Sequence, residues 1–415
     1  MDLDAVDLTD LDRFAAGFPH EIFTALRRDR PVWFHPPTPH TPGGEGFWVL
    51  SRYDDIAAAA SDAALSSATG GGRDGGGTLI EDLPAGFAAG VLLNMMDDPR
   101  HRRFRRLATP AVSPRTLREA EDELRARTAV ILDATLARGH CDFLVEVAAE
   151  LPLQMIAKLL GIPQRDRHQL FAWANATLDY DDRNLGDQSD KVLAANAAMF
   201  EYGIRLIAEK RRAPGDDMLS AVVHGTVETD AGGSEPLTDL ELQMFFNLLI
   251  AAGSETTRNS IATGLMALIE HGDQWRDLAA DRALVPSAVE EILRWASSTA
   301  YNRRTAVSDV RLRDHTIRAG NKVTLWWPSA NRDERVFAAP FRFDVRRAPN
   351  PHLAFGHGAH FCLGAALARL EIRVVLEALL DRCERVELAG PVEWTRSNKH
   401  TGVRHMPVVL CARQR

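Results

Sequence analysis

The chain has 415 residues, 45% of them hydrophobic and 26% charged, with a formal net charge of −8. That is the composition of a globular protein with a sizeable core, and the acidic balance excludes wholesale nucleic-acid binding. No apolar stretch reaches the ~20 residues needed to span a bilayer, the start MDLDAVDLTDLDRF lacks a secretory pattern, and four scattered cysteines suit a reducing compartment. A soluble, cytoplasmic protein is expected.

PVWFH and GFWVLSR read as short strands near the N-terminus. GGGRDGGG, Gly70 to Gly77, lacks the G-x-x-x-x-G-K-[ST] spacing of a phosphate loop and is expected to be a flexible lid or surface loop. Within LLNMMDDPRHRRFRRLATPAVSPR (92–115), the i, i+4 spacing of His101 and Arg105 sets both on one helical face. Apolar residues recur at three- and four-residue intervals over 118–138, 194–212 and 286–296, predicting amphipathic helices.

PLTDLELQMFFNLLIAAGSETTRNSIATGLMALIEHG opens with a Thr238-x-x-Glu241 capping box and ends at Gly272, predicting one helix roughly 50 Å long. Its centre is apolar except at Gly253, Glu255, Thr256 and Thr257. A carboxylate with hydroxyls inside a buried helix is costly unless used; hydroxyls bonding back to the helix backbone are the alternative. VRLRDHTI, KVTLWW, PVEW and MPVVLCA read as further strands. No repeat and no linker divides the chain.

FGHGAHFCLG, Phe355 to Gly364, places His357, His360 and Cys362 together. A zinc site would need a second ligand cluster, which the sequence lacks. LGAALARLEIRVVLEALL is a strong helix sequence, so Cys362 sits at or just before a helix N-terminus, where the dipole favours a thiolate. The glycines let something flat and bulky approach the backbone. A haem iron with one axial thiolate meets both conditions.

With Phe355, Gly358, Cys362 and Gly364 in place, this loop resembles the cysteine-ligand loop of the cytochrome P-450 family, F-x-x-G-x-x-x-C-x-G. EEILRW supplies the family's Glu-x-x-Arg pair, Glu291 and Arg294, and PFRFD supplies Arg342 as the implied third member of a buried ion-paired triad. AGSETT, Ala252 to Thr257, resembles the A-G-x-[DE]-T-T signature, in which Gly253 makes room for dioxygen while Glu255 and Thr256 deliver protons. His101 and Arg105 match residues contacting haem propionates; Arg304, with Arg303 as its rival, and His360 are implied as further contacts. Ala252, Phe355 and Gly364 complete the implied haem surroundings.

The resemblance implies one mainly α P-450 fold with small β-sheets over residues 1–415, similar to bacterial soluble haem-thiolate monooxygenases carrying heme b. The thiolate favours O–O cleavage, one oxygen atom entering a C–H or C=C bond and the other leaving as water. No flavin or iron–sulfur motif is visible, so electrons are expected from a ferredoxin and an NAD(P)H-driven ferredoxin reductase. The ferredoxin is expected to dock on Arg102, Arg103, Arg106, Arg369 and Arg373.

By the same resemblance, Phe245, Phe246, Leu249, Thr299, Ala300 and Val403 face the substrate, with the loop 66–92, the segment 171–190 and the acidic stretch 179–187 at the entrance. The expected substrate is mostly apolar: a steroid, terpenoid, branched lipid or secondary-metabolite intermediate. The alternatives are hydroxylation of an amino acid tethered to a carrier protein, polyketide tailoring, a haem-thiolate sensor without turnover, and a zinc-bound structural loop. A monomer is expected.

Overall fold

The computed structural model describes residues 1–178, 184–187 and 189–413. Its helices in chain order are α1 (His20–Asp29), α2 (Tyr53–Ser61), α3 (Arg100–Ala108), α4 (Pro114–Leu136), α5 (Glu150–Leu159), α6 (Arg167–Leu178), α7 (Asp190–Arg212), α8 (Met218–Val223), α9 (Asp239–Glu270), α10 (Gly272–Ala280), α11 (Val285–Ala296), α12 (Trp327–Ala330) and α13 (Ala365–Arg382). The acidic stretch 179–187 lies mostly outside the described residues.

α9 is the axis of the fold, 32 residues long and thus about 48 Å at 1.5 Å per residue. The capping box forms as predicted: the Glu241 N–H donates to Thr238 Oγ1 at 3.2 Å and the Thr238 N–H donates to Glu241 Oε2 at 2.9 Å. The helix stops at Glu270, two residues before the predicted end, because Gly272 opens α10. α5, α6, α7, α11 and α13 pack against it. One large core, with Phe143, Leu265, Ile292 and Leu376, lies along its C-terminal half; a second, with Phe104, Leu219, Phe245 and Phe246, lies along its N-terminal half. Truncating one of these rings would cost about 3–5 kcal/mol.

The predicted strands PVWFH, GFWVLSR and KVTLWW share one sheet, ordered Val32–His35, Phe47–Leu50, Lys322–Trp326, Tyr301–Ala306, Leu65–Ser66. Tyr301–Ala306 was not expected as a strand, since YNRRTA carries two adjacent arginines. It pairs antiparallel with Lys322–Trp326, Arg303 opposite Thr324 and Arg304 opposite Val323, so the two guanidinium groups leave by opposite faces. Val310–Leu312 and His315–Ile317 form a hairpin. Pro407–Ala412 lies between Cys383–Leu388 and His140–Asp142, and Glu393–Trp394 pairs with Val403–His405.

The glycine-rich run 70–77 is tied down, contrary to the expectation of a flexible lid. Arg73 pairs with Glu45 at 2.6 Å and with Asp82, while Gly75–Gly76 pairs with Leu83–Pro84. At Gly71, φ is +60° and a Cβ would fall 1.9 Å from the Gly320 backbone, so the glycine is needed for one chain to touch another.

Behind the site, Arg294 clasps Glu291 with Nε at 2.8 Å and Nη2 at 2.7 Å, both residues being fully buried. The third member is Arg347, whose Nε donates to Glu291 Oε2 at 3.0 Å. Arg342, expected in that role, offers only its backbone carbonyl, to Arg294 and Arg347, and its side chain is exposed. Phe343 beside it is buried in the core, which turns the side chain of Arg342 outward.

Candidate active site

The cysteine loop descends from Phe355 through a short turn at Gly358–His360, and Cys362 lies three residues before α13 begins. Its backbone is fixed by Cys362 N–H donating to the Phe355 carbonyl at 2.9 Å. Cys362 has open surface as a residue, yet protein crowds its thiol. Both hold for a residue lining a cleft inside the fold. Burial pushes the thiol up, against the opposing pull of the Gly364 N–H, Arg105 and Arg369.

The cleft shows itself along α9 as well. Ala252 is exposed although its helix is packed by five others, and Leu248, Leu249, Gly253 and Thr256 are partly open. Opposite, Phe361 is 42% exposed, and a Cβ added at Gly364 would meet nothing. At Gly253 an added Cβ would lie 2.8 Å from Ile156 Cδ1, so this glycine also lets α5 approach α9. Thr256 Oγ1 donates to the Ala252 carbonyl at 3.2 Å, the back-bonded alternative in its resting form.

Glu255 is buried and turns away from that bond. Its Oε1 is 3.7 Å from Arg258 Nη2 and its Oε2 is 3.7 Å from His400 Nδ1. The pairing with His400 was not visible in the sequence, where the two lie far apart with no motif linking them.

Cations gather beside the cysteine loop. The rings of His101 and His360 are 4.2 Å apart. Arg304 is buried, donates among the described residues to the Arg303 carbonyl alone at 3.1 Å, and is pulled down to about 10 by burial, with Asp97 opposing. Arg105 has no carboxylate partner among the described residues, and burial lowers it too. His360 is pushed down to about 3 by burial, then by Arg304, His101 and Arg105. Buried positive charge without an anion is costly, and a ligand bearing carboxylates would relieve it. Of the two adjacent arginines, Arg303 is the one answered inside the protein, by Asp82 at 2.7 Å and Thr305 at 2.8 Å.

An accessible cysteine on one wall, a bare helix on the other and unanswered cations at the edge fit a flat, iron-bearing ring with acidic side arms. Among the described residues no group of three His, Cys, Asp or Glu side chains could hold a metal ion, which removes the zinc-bound loop.

Several expected substrate-facing residues lie elsewhere. Phe245 and Phe246 are fully buried, Phe245 against Phe104 at 5.3 Å and Phe246 against Tyr202 at 6.2 Å between ring centroids. Phe245 does share the stripe of Leu249 and Ala252, but it sits two turns earlier, beyond the edge of the cleft, where α3 covers it. Ala300 is buried between the Lys399 carbonyl and the Trp327 N–H, and Val403 belongs to the large core behind α9. Leu249, Ala252 and Thr299 keep partly open surface.

The arginine patch is mostly answered too: Arg103 pairs with Asp230 at 2.7 Å, Arg106 with Glu228 at 3.5 Å, Arg369 with Glu290 at 2.7 Å and Arg373 with Glu121 at 2.8 Å. Arg102 alone of the five lacks a carboxylate among the described residues.

The family model described as cytochrome P450 matches residues 139–407. A Mycobacterium tuberculosis relative named cytochrome P450 126 is 50% identical over 410 residues, covering 98% of both chains. The methyl-branched lipid omega-hydroxylase of the same organism is 39% identical over 399 residues, covering 93% of this chain and 90% of that one. Among solved structures, the Mycobacterium marinum cytochrome P450 CYP268A2 in complex with pseudoionone superposes with a TM-score of 0.87 at 34% identity, covering 98% of each chain. No helix among the described residues is long and apolar enough to cross a membrane. The accessible cysteine, the long helix bared at its centre and the buried glutamate–arginine clasp thus occur within a likeness that runs the length of the chain, which belongs to the cytochrome P450 family and is a monooxygenase with a haem-thiolate iron cofactor.

Proposed function

We propose that Cys362 is the thiolate ligand of a heme b, and that the chain forms a single P450 domain over residues 1–415. The observation that carries this reading is the exposed Cys362 with the cations Arg105 and Arg304 nearby, neither of which has a carboxylate bonded to it among the described residues. Those two, with His101 and His360, would hold the propionates. When bound, the haem supplies dioxygen activation, using two electrons and two protons to place one oxygen atom in the substrate and one in water.

The chain's own residues do the rest. Phe355 packs against Phe361, ring centroids 6.0 Å apart, and Arg369 lies 4.6 Å over the Phe355 ring, contacts that help hold the base of the cysteine loop in place. Glu255, buried next to Thr256 on α9, would relay protons, and Thr256 Oγ1, once released from the Ala252 carbonyl, can present its hydroxyl to the cleft. Thr256→Ala should leave haem binding intact while diverting electrons to peroxide.

Leu249 and Ala252 give the cleft an apolar wall, which rewards apolar substrate at about 25 cal/mol per Å² buried. That wall, the relative acting on methyl-branched lipids and the neighbour binding pseudoionone support a branched or isoprenoid-like apolar substrate of moderate size. Electrons would come from a ferredoxin and its NAD(P)H-driven reductase, in a cytoplasmic monomer. In the haem-loaded protein, Cys362→Ser should abolish the red-shifted Soret band of the reduced carbon monoxide complex. A titration with methyl-branched fatty acids, terpenoids and steroids should shift the Soret band for at least one class. If only a carrier-bound aminoacyl group responds, the tethered-substrate reading replaces this one.

A further inference from the structure

A second cleft, of about 290 Å³, lies on the flank of α9, and its lining includes Val145, Phe171, Arg404, Glu255 and Arg258. Glu255 and Arg258 stand one helical turn apart, only 4% and 8% exposed. Glu255 and Arg258 line it, and His400 lies behind Glu255 rather than in the lining; among the described residues the buried atoms Glu255 Oε2, Arg258 Nε and His400 Nδ1 have no hydrogen-bond partner. Their nearest charged neighbours stay at 3.7 Å, and the Arg258 guanidinium rests over Phe171, 4.6 Å from its ring centroid. Orphaned buried donors and acceptors around a void are where ordered water sits, and this void exceeds the ~30 Å³ share of one water several times over. An anion is a poorer occupant, since it would gain Arg258 only by approaching the Glu255 carboxylate.

We propose that this flank cleft is a water-filled proton inlet and that His400 is a positioning residue for Glu255 at its inner end. The inference rests on Glu255 and Thr256 forming the proton path. His400 reaches Glu255 from the turn between the strands Glu393–Trp394 and Val403–His405, held by its N–H on Ser397 Oγ at 3.2 Å and by a bridge to Thr299. Glu255 and Arg258 face it from α9 and Lys399 from its own turn; burial pulls the imidazole down, leaving it neutral near neutral pH. A neutral ring can donate from Nδ1 and steady the carboxylate without cancelling its charge. A proton arriving from bulk water along the cleft converts the Glu255 carboxylate to the acid. The acid returns to carboxylate by passing that proton toward Thr256 Oγ1, and no electrons move in either step.

The test uses the haem-loaded protein, reduced by its electron donor in air with no substrate present, where oxygen ends as peroxide with two protons or as water with four. His400→Phe and Val145→Trp, the latter a plug at a position 48% exposed, should raise both the peroxide share and the H₂O/D₂O rate ratio about two-fold or more. His400→Gln, which keeps a donor, should recover most of the change, with the carbon monoxide spectrum unaltered throughout. As a readout independent of turnover, labelled-histidine NMR of the carbon monoxide complex should show the His400 titration moving to lower pH in Glu255→Gln, because a neighbour favouring the charged ring is gone. If both plugged and His400 variants behave as wild type while Thr256→Ala raises peroxide, the inlet is wrong and the Glu255–Thr256 path stands. If Thr256→Ala changes nothing either, both fall.

Discussion

Arg342 and Arg347 occupy one arginine-rich loop, and only Arg347 reaches Glu291. Removing one member of a buried pair strands the other charge, so Arg347→Ala should cost about 3–5 kcal/mol in chemical denaturation. Arg342→Ala, an exposed change whose useful atom is a backbone carbonyl, should stay within about 0.5 kcal/mol. Equal losses would reverse the assignment. No spacing rule distinguishes two arginines in an irregular loop, which is why the sequence pointed to the wrong one. The Glu291–Arg294 pair was legible because both residues belong to one local pattern whose helical spacing fixes the contact. His400 was not, because its meeting with Glu255 depends on how the C-terminal hairpin packs on α9.

Glu290 of α11 binds two groups at once, Arg369 of α13 at 2.7 Å and His352 at 3.1 Å. Burial raises its carboxyl, but hydrogen bonds from His352 and Arg369 outweigh that and hold it at about 2. A carboxyl depressed in the folded state contributes stability that is present above the unfolded value of about 4.3 and is lost as pH falls toward 2. Melting temperature followed from pH 5 down to 2 should therefore drop less steeply in Glu290→Gln than in wild type; parallel curves would remove the tether. Helices of this kind were readable from their period, α9 down to its capping box. Tyr301–Ala306 escaped because adjacent arginines look like a solvated turn, whereas in the fold its backbone pairs with Lys322–Trp326 and Asp82 answers Arg303. The same lack of context placed Phe245 in the cleft: its helical stripe was right, and the edge of the cavity was set by α3.

At the scale of the molecule, docking of the proposed ferredoxin, if acidic, would need some basic ground on this acidic protein. Arg102 has no carboxylate on its side chain among the described residues, and the Arg106–Glu228 pair is so exposed that it holds little of Arg106's charge. With Arg103, Arg369 and Arg373 already paired, reduction by a ferredoxin should slow only modestly with added salt, and Arg102→Glu combined with Arg106→Glu should slow it several-fold at low ionic strength. Stopped-flow reduction would measure both, and a rate indifferent to the double change would move the docking face away from α3. The seam at residues 70–77 has a different consequence. To a protease, eight residues with six glycines look like an ideal cutting site, yet here the segment is pinned by Arg73 to Glu45 and Asp82 and pressed against Gly320. Limited digestion should spare it until the molecule unfolds, whereas Arg73→Ala should open an early nick there and leave two fragments of very unequal mass on a gel.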